Sequence, residues 1–241
     1  MIIDCHVHIG KGERMFDIFQ IDCTVERAEY LMTKAGVDRS VIFPVGYVDY
    51  VEPNKEIAEI VRNNKKFIGF ARLSNNMQNA AEHLFYAVKE LGLVGLKLGE
   101  VPTREILDAA RELKIPVLAH SGMGYPPIKY EGVIKSYPDI TFILAHLGMG
   151  MNWDNLFTSP LEAFYLARTY KNVYLDTSAA TWIQYVLEQA VREAGPDKLI
   201  FGSDGPWFYP AIMLACIKDL ELNEADENKI LYGNIARILN L

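Results

Sequence analysis

Five histidines are spread over 241 residues, and four of them end short apolar runs. His6 and His8 close the run Ile2–His8, His120 closes Pro116–His120, and His146 closes Thr141–His146. Asp204 directly follows another such run, Leu199–Ser203. Residues i and i+2 of a strand project to one side, so His6 and His8 can offer two nitrogens to one ion. Neutral imidazole and carboxylate suit zinc and similar divalent metals, and a catalytic zinc keeps a position open. Each signal alone is unspecific. A His-x-His pair can be structural, His120 and His146 can each cap a strand, and Asp204-Gly205 can be an ordinary turn. Together, four histidines and one aspartate would all have to reach strand ends by chance. The fifth, His83, lies beside Leu84 and Phe85 in a helical segment and reads as a helix residue.

The elements that carry these residues alternate. Eight β-branched or apolar runs are Ile2–His8, Ser40–Val45, Phe67–Leu73, Val94–Leu98, Pro116–His120, Thr141–His146, Val173–Thr177 and Leu199–Ser203. They are nearly free of charge, as strands buried on both faces are. Amphipathic segments separate them: Thr24–Ala35, Asn54–Asn64, Gln78–Leu91, Arg104–Leu113, Tyr130–Ser136, Leu156–Tyr170, Ala179–Ala194 and Ala211–Leu220. Eight β-then-α units predict parallel strands with right-handed crossovers, closed as a single (β/α)8 barrel of the TIM type over residues 1–241. An open doubly wound sheet shares the alternation but has fewer strands. The tail Asp226–Leu241 reads as a last helix on the outside of the barrel. In a barrel the C-terminal strand ends converge on one mouth, where active sites are built. Asp4 would share the inward face with His6, where it could orient an imidazole, or it could be a solvated residue at the strand start.

Asp4-Cys5-His6-Val7-His8, His120, Leu144-Ala145-His146-Leu147-Gly148 and Phe201-Gly202-Ser203-Asp204 together resemble the amidohydrolase superfamily. The branch resembled is the amidohydrolase-related group that includes aminocarboxymuconate semialdehyde decarboxylase and related aromatic-acid decarboxylases. The closing segment from Ile230 to Leu239 resembles that group's C-terminal signature, so the resemblance covers nearly the whole chain. It implies a distorted (β/α)8 barrel with one or two divalent metals. It implies His6, His8 and His120 as metal ligands, and Asp204 as a further ligand or a base. His146 would be the catalytic acid/base, or a ligand of a second metal. Lys97 falls where some superfamily members carry a carboxylated, metal-bridging lysine. Alternatively, an unmodified Lys97 would bind a substrate carboxylate or pair with Glu100.

Such a site can run two chemistries. A metal that activates water and polarises a carbonyl, with Asp204 shuttling the proton, would hydrolyse an amide, lactone or ester-like bond. The same parts can carry a non-oxidative decarboxylation of a small aromatic or unsaturated acid, with His146 or the water delivering a proton to carbon. Arg72 and Lys97 are the cations available to a carboxylated substrate in either case, though Arg72 could equally serve a structural salt bridge at a strand end. Trp207 follows Asp204 closely, and with Trp153, Trp182, Phe208 and Tyr209 could line an apolar pocket, or simply pack loops on the rim. The related decarboxylases carry longer insertions than this chain, whose longest loops are Ile9–Cys23 and Ser121–Lys129. Hydrolysis is therefore the first expectation and carboxy-lyase chemistry the alternative. Zinc is the first metal expected, with manganese, iron or cobalt as others that suit the donors.

Composition narrows the classes. The net charge is −7 with no basic run, which disfavours nucleic acid and anionic membranes as partners. A small-molecule substrate fits better, and amphipathic outer helices are compatible with a homodimer. Cys5, Cys23 and Cys216 are too few and too scattered for a disulfide framework, so a reducing, cytoplasmic setting is expected. No apolar stretch reaches the roughly 20 residues of a membrane span, and the N-terminus reads as strand rather than signal.

Overall fold

Ile3, Cys5, Val41, Phe43, Ile68, Phe70, Leu118, Ile143, Ala145 and Ile200 share one apolar cluster. Alternate residues of the same runs, among them Val7, Ile42, Phe67, Leu96, Val117, Phe142 and Val173, join a larger cluster with the helices. That division is what strands buried on both faces produce. In the computed structural model the strands are β1 (Ile3–Ile9), β2 (Arg39–Pro44), β3 (Phe67–Gly69), β4 (Ala71–Leu73), β5 (Leu96–Leu98), β6 (Val117–Ala119), β7 (Phe142–Leu144), β8 (Val173–Asp176) and β9 (Leu199–Ile200). The structure describes residues 1–11, 18–46, 49–122, 124–149, 158–180 and 185–241. Trp153 and Trp182 lie outside them.

All strand pairs are parallel, and neighbours in space are neighbours in sequence. Strands β3 and β4 form one stave interrupted at Phe70: the lower half pairs with β2, the upper half with β5. Phe70 N–H still reaches Ile42 O at 2.9 Å, which links the two halves of the ring. At the other seam Cys5 N–H donates to Phe201 O (2.9 Å), Asp204 N–H to His6 O (2.9 Å) and His8 N–H to Gly205 O (2.7 Å). The ring is therefore closed, with eight staves, and is the expected (β/α)8 barrel.

The outer layer is α1 (Val25–Ala35), α2 (Val51–Asn63), α3 (Ala80–Lys89), α4 (Arg104–Leu113), α5 (Glu131–Ser136), α6 (Thr158–Thr169), α7 (Val186–Ala194) and α8 (Pro210–Lys218). Their caps follow local chemistry. Thr24 Oγ1 accepts from Arg27 N and Thr103 Oγ1 from Ile106 N, while Gly36 ends α1 in the left-handed region. No helix among the described residues is long and apolar enough to cross a membrane.

Two expectations fail. The tail is helical as expected, running without a break through α9 (Glu224–Asn228), a π-helical turn (Lys229–Gly233) and α10 (Asn234–Leu239), but it does not lie on the outside. Ile235 is fully buried in the barrel-interior cluster, and Asn234 Nδ2 donates to Leu199 O (2.7 Å) and Pro196 O (2.8 Å) at the start of β9. The tail thus plugs the end of the barrel opposite the mouth. An apolar face seen in sequence does not tell a side-packed helix from a plug.

The second failure is Asp4. The register of β1 against β2 slips by one residue between Asp4 and Val7, which is a bulge. Strict alternation would put Ile3 and Cys5 on the face opposite His6 and His8. The bulge lets Cys5 pack inside while His6 and His8 still reach the site. Asp4 does not touch an imidazole. Its Oδ1 accepts from His6 N (3.1 Å) and Ser203 N (2.9 Å), and its Oδ2 from Ser203 Oγ (2.5 Å). Burial pushes its carboxyl up to about 7, against those hydrogen bonds. Its work is to pin the bulge and the β9 loop that carries Asp204.

Candidate active site

His6 is fully buried and stands at the centre of a chain of rings. Its centroid lies 5.3 Å from that of His8 and 5.0 Å from that of His146, which in turn lies 4.8 Å from that of His120. Residues β1, β6, β7 and β9 each hand on at their C-terminal ends have therefore met, as a barrel mouth requires.

Two donor groups share His6: His6, His8 and Asp204 form one, and His6, His146 and Asp176 the other. Their hydrogen bonds tell them apart. His6 Nδ1 lies 2.8 Å from Asp176 Oδ2 and 3.2 Å from Ser178 Oγ. A ring nitrogen that donates to a carboxylate leaves its other nitrogen with the lone pair, the usual arrangement behind a metal-bound imidazole. His6 Nε2 faces Asp204 Oδ1 at 3.3 Å, and His8 Nε2 faces the same oxygen at 3.1 Å. Bonds of 2.0–2.1 Å to a tetrahedral ion would set donor atoms roughly 3.3 Å apart. The His6, His8 and Asp204 set fits a divalent ion on this measure and by donor type. His120 stands outside both groups among the described residues; its Nδ1 is 3.1 Å from His146 Nε2.

Asp176 and Ser178, at the end of β8, were not singled out from sequence. Asp176 accepts from His6 Nδ1, from His146 N (2.9 Å), and from Ser178 N (3.0 Å) and Oγ. A serine hydroxyl has one proton, so with that proton given to Asp176 its lone pairs face the imidazoles. Ser178 Oγ is 2.8 Å from His146 Nδ1, which must then carry the ring's proton and leave Nε2 free. The signal in sequence was an aspartate ending an otherwise apolar strand, Val173-Tyr174-Leu175-Asp176.

The backbone here is held in unfavourable conformations. His146 and Leu147 have φ of 63° and 50°, followed by Gly148 at 71°, and Asp204 has φ of 64°. Left-handed non-glycine residues cost about 1–3 kcal/mol each and persist where the surroundings over-determine them. The Asp176 bond to His146 N and the His6 bond to Asp204 N supply that determination. Gly148 is required for a further reason: a Cβ there would sit 2.5 Å from Pro127 Cγ.

The site is electrostatically polarised. Burial, then Lys97, holds His6 well below its ordinary value, and burial likewise lowers His8 and His120. These rings are therefore neutral, the form that binds metal. Burial opposes the charge on Asp204, but His6 and the hydrogen bond with His8 outweigh it and keep the carboxylate well below its ordinary range. Lys97 is buried, with Nζ 3.3 Å from His6 Nε2 and 5.2 Å from the Phe43 ring centre. It does not pair with Glu100, which accepts from Ser74 Oγ and Asn75 N instead. Strand β5 turns Lys97 inward and carries Glu100 beyond the strand end. Arg72, at the end of the third stave, places Nη1 3.4 Å from His8 Nδ1. Trp207 packs with Ile21, Cys23 and Val45 among the loops, its ring 6.4 Å from that of Phe19.

Burial brings Lys97 down to about 7, against 10.5 for a free lysine. Between those values the unfolded chain keeps a proton that folded Lys97 has lost, so stability rises with pH across this window. Lys97→Met removes that dependence. After chelation, the variant is expected to melt above the parent at pH 7, with the gap narrowing by pH 10. A gap that ignores pH would mean that Lys97 keeps its proton when folded.

Comparison with known proteins bears on the family and the fold. The family model described as amidohydrolase matches residues 3–241. A gamma-resorcylate decarboxylase from Polaromonas sp. JS666 is 25% identical over 122 residues. That stretch is 46% of this chain and 37% of the relative, so the match spans little more than a third of that protein's length. Among solved structures, a dihydroxybenzoic acid decarboxylase from Polaromonas sp. JS666, with bound manganese and 2-nitroresorcinol, superposes with a TM-score of 0.77 at 19% identity. The overlay covers 100% of this chain and 97% of the other. A candidate 2-pyrone-4,6-dicarboxylic acid hydrolase from Pseudomonas putida superposes with a TM-score of 0.75 at 14% identity, covering 99% and 97%. With a family match over nearly every residue and the histidine–aspartate mouth that its fold builds, this chain belongs to the amidohydrolase family.

Proposed function

We infer that this enzyme is a metal-dependent carboxy-lyase that removes carbon dioxide from a small aromatic or unsaturated acid, with residues 1–241 acting as one catalytic domain. The observation that carries this reading is Arg72. Its Nε is buried and has no hydrogen-bond partner among the described residues, while its Nη1 lies beside His8. A buried guanidinium with a donor to spare is built to receive an anion. Lys97 Nζ adds a second hydrogen-bond donor beside the same set, 3.3 Å from His6 Nε2. Acidic substrates suit both hydrolysis and decarboxylation; the decarboxylases among the similar proteins tip the choice to decarboxylation.

His6, His8 and Asp204 would hold the ion, with His120 as a further ligand. Zinc and manganese both suit this set, and manganese is the ion in the decarboxylase neighbour. When bound, the ion supplies a Lewis acid that anchors substrate oxygens. Arg72 and Lys97 orient the carboxylate. His146, steadied through Nδ1 by Ser178, presents Nε2 to the carbon that bears the carboxylate. The lone pair of Nε2 first takes up a proton from solvent, and the imidazolium passes it to that carbon; the bond to the carboxyl carbon breaks, its electron pair stays with the ring carbon, carbon dioxide leaves, and His146 returns to its Nδ1-protonated form. Asp204 stays charged throughout. Trp207, three residues beyond Asp204, would wall the substrate pocket.

Hydrolysis is the second reading, favoured by the likeness to the candidate pyrone hydrolase. The two are separated by incubating protein loaded with zinc or manganese with 2,6-dihydroxybenzoate and, separately, with 2-pyrone-4,6-dicarboxylate. The carboxy-lyase reading expects carbon dioxide from the first and no acid release from the second. Arg72→Ala is expected to lower that decarboxylation by about 10- to 100-fold, the worth of a hydrogen-bonded charge. Acid release without carbon dioxide would transfer the assignment to hydrolysis.

A further inference from the structure

The ring closes, but its backbone ladder is interrupted at one place, and the gap in the ladder lies directly beside Arg72. Below it, β2 pairs with β3 over Ser40–Ile42 and Phe67–Gly69, and Phe70 N–H reaches Ile42 O. Two residues further on, Arg72 N–H would meet Pro44 O if the ladder continued. It does not. Pro44 O instead accepts from the Arg72 side chain, from Nη1 at 2.8 Å. The Arg72 backbone faces this gap, because Ala71 N–H is the one turned to β5, where it bonds Gly95 O (2.8 Å).

Asn54 fills the gap. It lies in the first turns of α2 and is buried. Its Oδ1 accepts from Arg72 N at 2.8 Å, and its Nδ2 donates to Arg72 O at 3.0 Å. A side-chain amide has the same donor and acceptor as a peptide, so Asn54 stands in for the missing strand. The residue that caps this helix, Tyr50, sets its ring 5.5 Å from the Arg72 guanidinium. The turn from Tyr50 to Asn54 therefore grips Arg72 at the backbone and at the guanidinium face. The substitution of amide for strand has a consequence for the side chain: with its own N–H satisfied by Asn54, Arg72 leaves Pro44 O free to fix Nη1, and Nε faces no partner among the described residues.

We propose that Asn54 is a positioning residue for the reaction: it locks the end of the third stave so that the Arg72 guanidinium is aimed at the substrate's carboxylate. This rests on the carboxy-lyase reading for the ligand, and on the seam alone for the clamp. Aspartate at this place would keep the acceptor and turn an oxygen against Arg72 O; leucine would remove both bonds.

The test uses the metal-loaded full chain and two readouts. The first is the ¹⁵N–¹H signal of Arg72 Nε, assigned by its loss in Arg72→Ala. In Asn54→Leu this signal is expected to shift and broaden as the guanidinium loses its fixed orientation. The second is calorimetric binding of 2,6-dihydroxybenzoate and of resorcinol, which lacks the carboxylate. Asn54→Leu and Arg72→Ala are each expected to weaken dihydroxybenzoate by about 10- to 100-fold. The double variant should be no weaker than Arg72→Ala, and resorcinol should bind all three equally. Asn54→Asp serves for both readouts if the leucine variant does not fold. An unchanged Arg72 signal, or additive losses, would overturn the proposal. A displaced signal in a protein whose parent does not bind dihydroxybenzoate would leave the clamp standing and overturn the substrate reading.

Discussion

Replacing His6 and His8 together by alanine is expected to take the chain from about one divalent ion to none and to abolish turnover. The two imidazoles supply two of the three donors that converge near Asp204 Oδ1. Loss of an outer partner alone typically costs about 10- to 100-fold in metal affinity, and loss of two direct ligands should exceed that. The fold should survive. The β1 ladder and its closure on β9 run through backbone groups, such as His6 O with Asp204 N and His8 N with Gly205 O, and alanine keeps these. Elemental analysis of protein purified without chelator or histidine tag, beside far-ultraviolet dichroism, checks both halves. Metal retained by the double variant would put the site elsewhere. About two ions in the parent chain would bring the second donor group, His6 with His146 and Asp176, into use.

His146→Asn should behave in the opposite way, keeping the metal and losing about 10²- to 10⁴-fold in turnover, the usual worth of a positioned acid or base. Asparagine is a demanding control because it spares the backbone. His146 has φ of 63°, and asparagine is among the few residues that adopt this region readily. The bond from residue 146 N to Asp176 Oδ1 should therefore remain. What is lost is Nε2, whose lone pair is turned to the site by the Ser178 contact at Nδ1. Single-turnover kinetics and metal content, measured on the same preparation, separate the outcomes. Half the metal lost would make His146 a ligand of a second ion, and unchanged turnover would remove it from the chemistry.

Much of the barrel was legible because its determinants are local. Charge-free runs of strand length must be buried on both faces, and amphipathic segments between them must cover those faces. Helix α4 occupies the predicted span Arg104–Leu113, with Thr103 as its cap. The breaks in this pattern were not legible. The third run reads as one strand through Leu73, yet the ladder changes partner at Phe70. A one-residue bulge in β1 leaves no mark in composition, yet it moves Asp4 away from the imidazoles. The tail shows apolar residues at helical spacing whether it lies beside the barrel or plugs it.

The site divides in the same way. The sequence by itself determined which residue types could bind a divalent ion and which strand ends would carry them, because ligand chemistry and the convergence of barrel strands are general. It also raised the expectation of an acidic substrate, since Arg72 and Lys97 lie within two neighbouring barrel strands. Only the tertiary structure decided which nitrogen of each ring faces which partner. It brought Asp176 and Ser178 behind His6 and His146, and Asn54 against Arg72, across separations of 18 to 172 residues. Those contacts depend on register, bulge and seam. These are fixed by how strands pair over long separations, and no window of neighbouring residues encodes them.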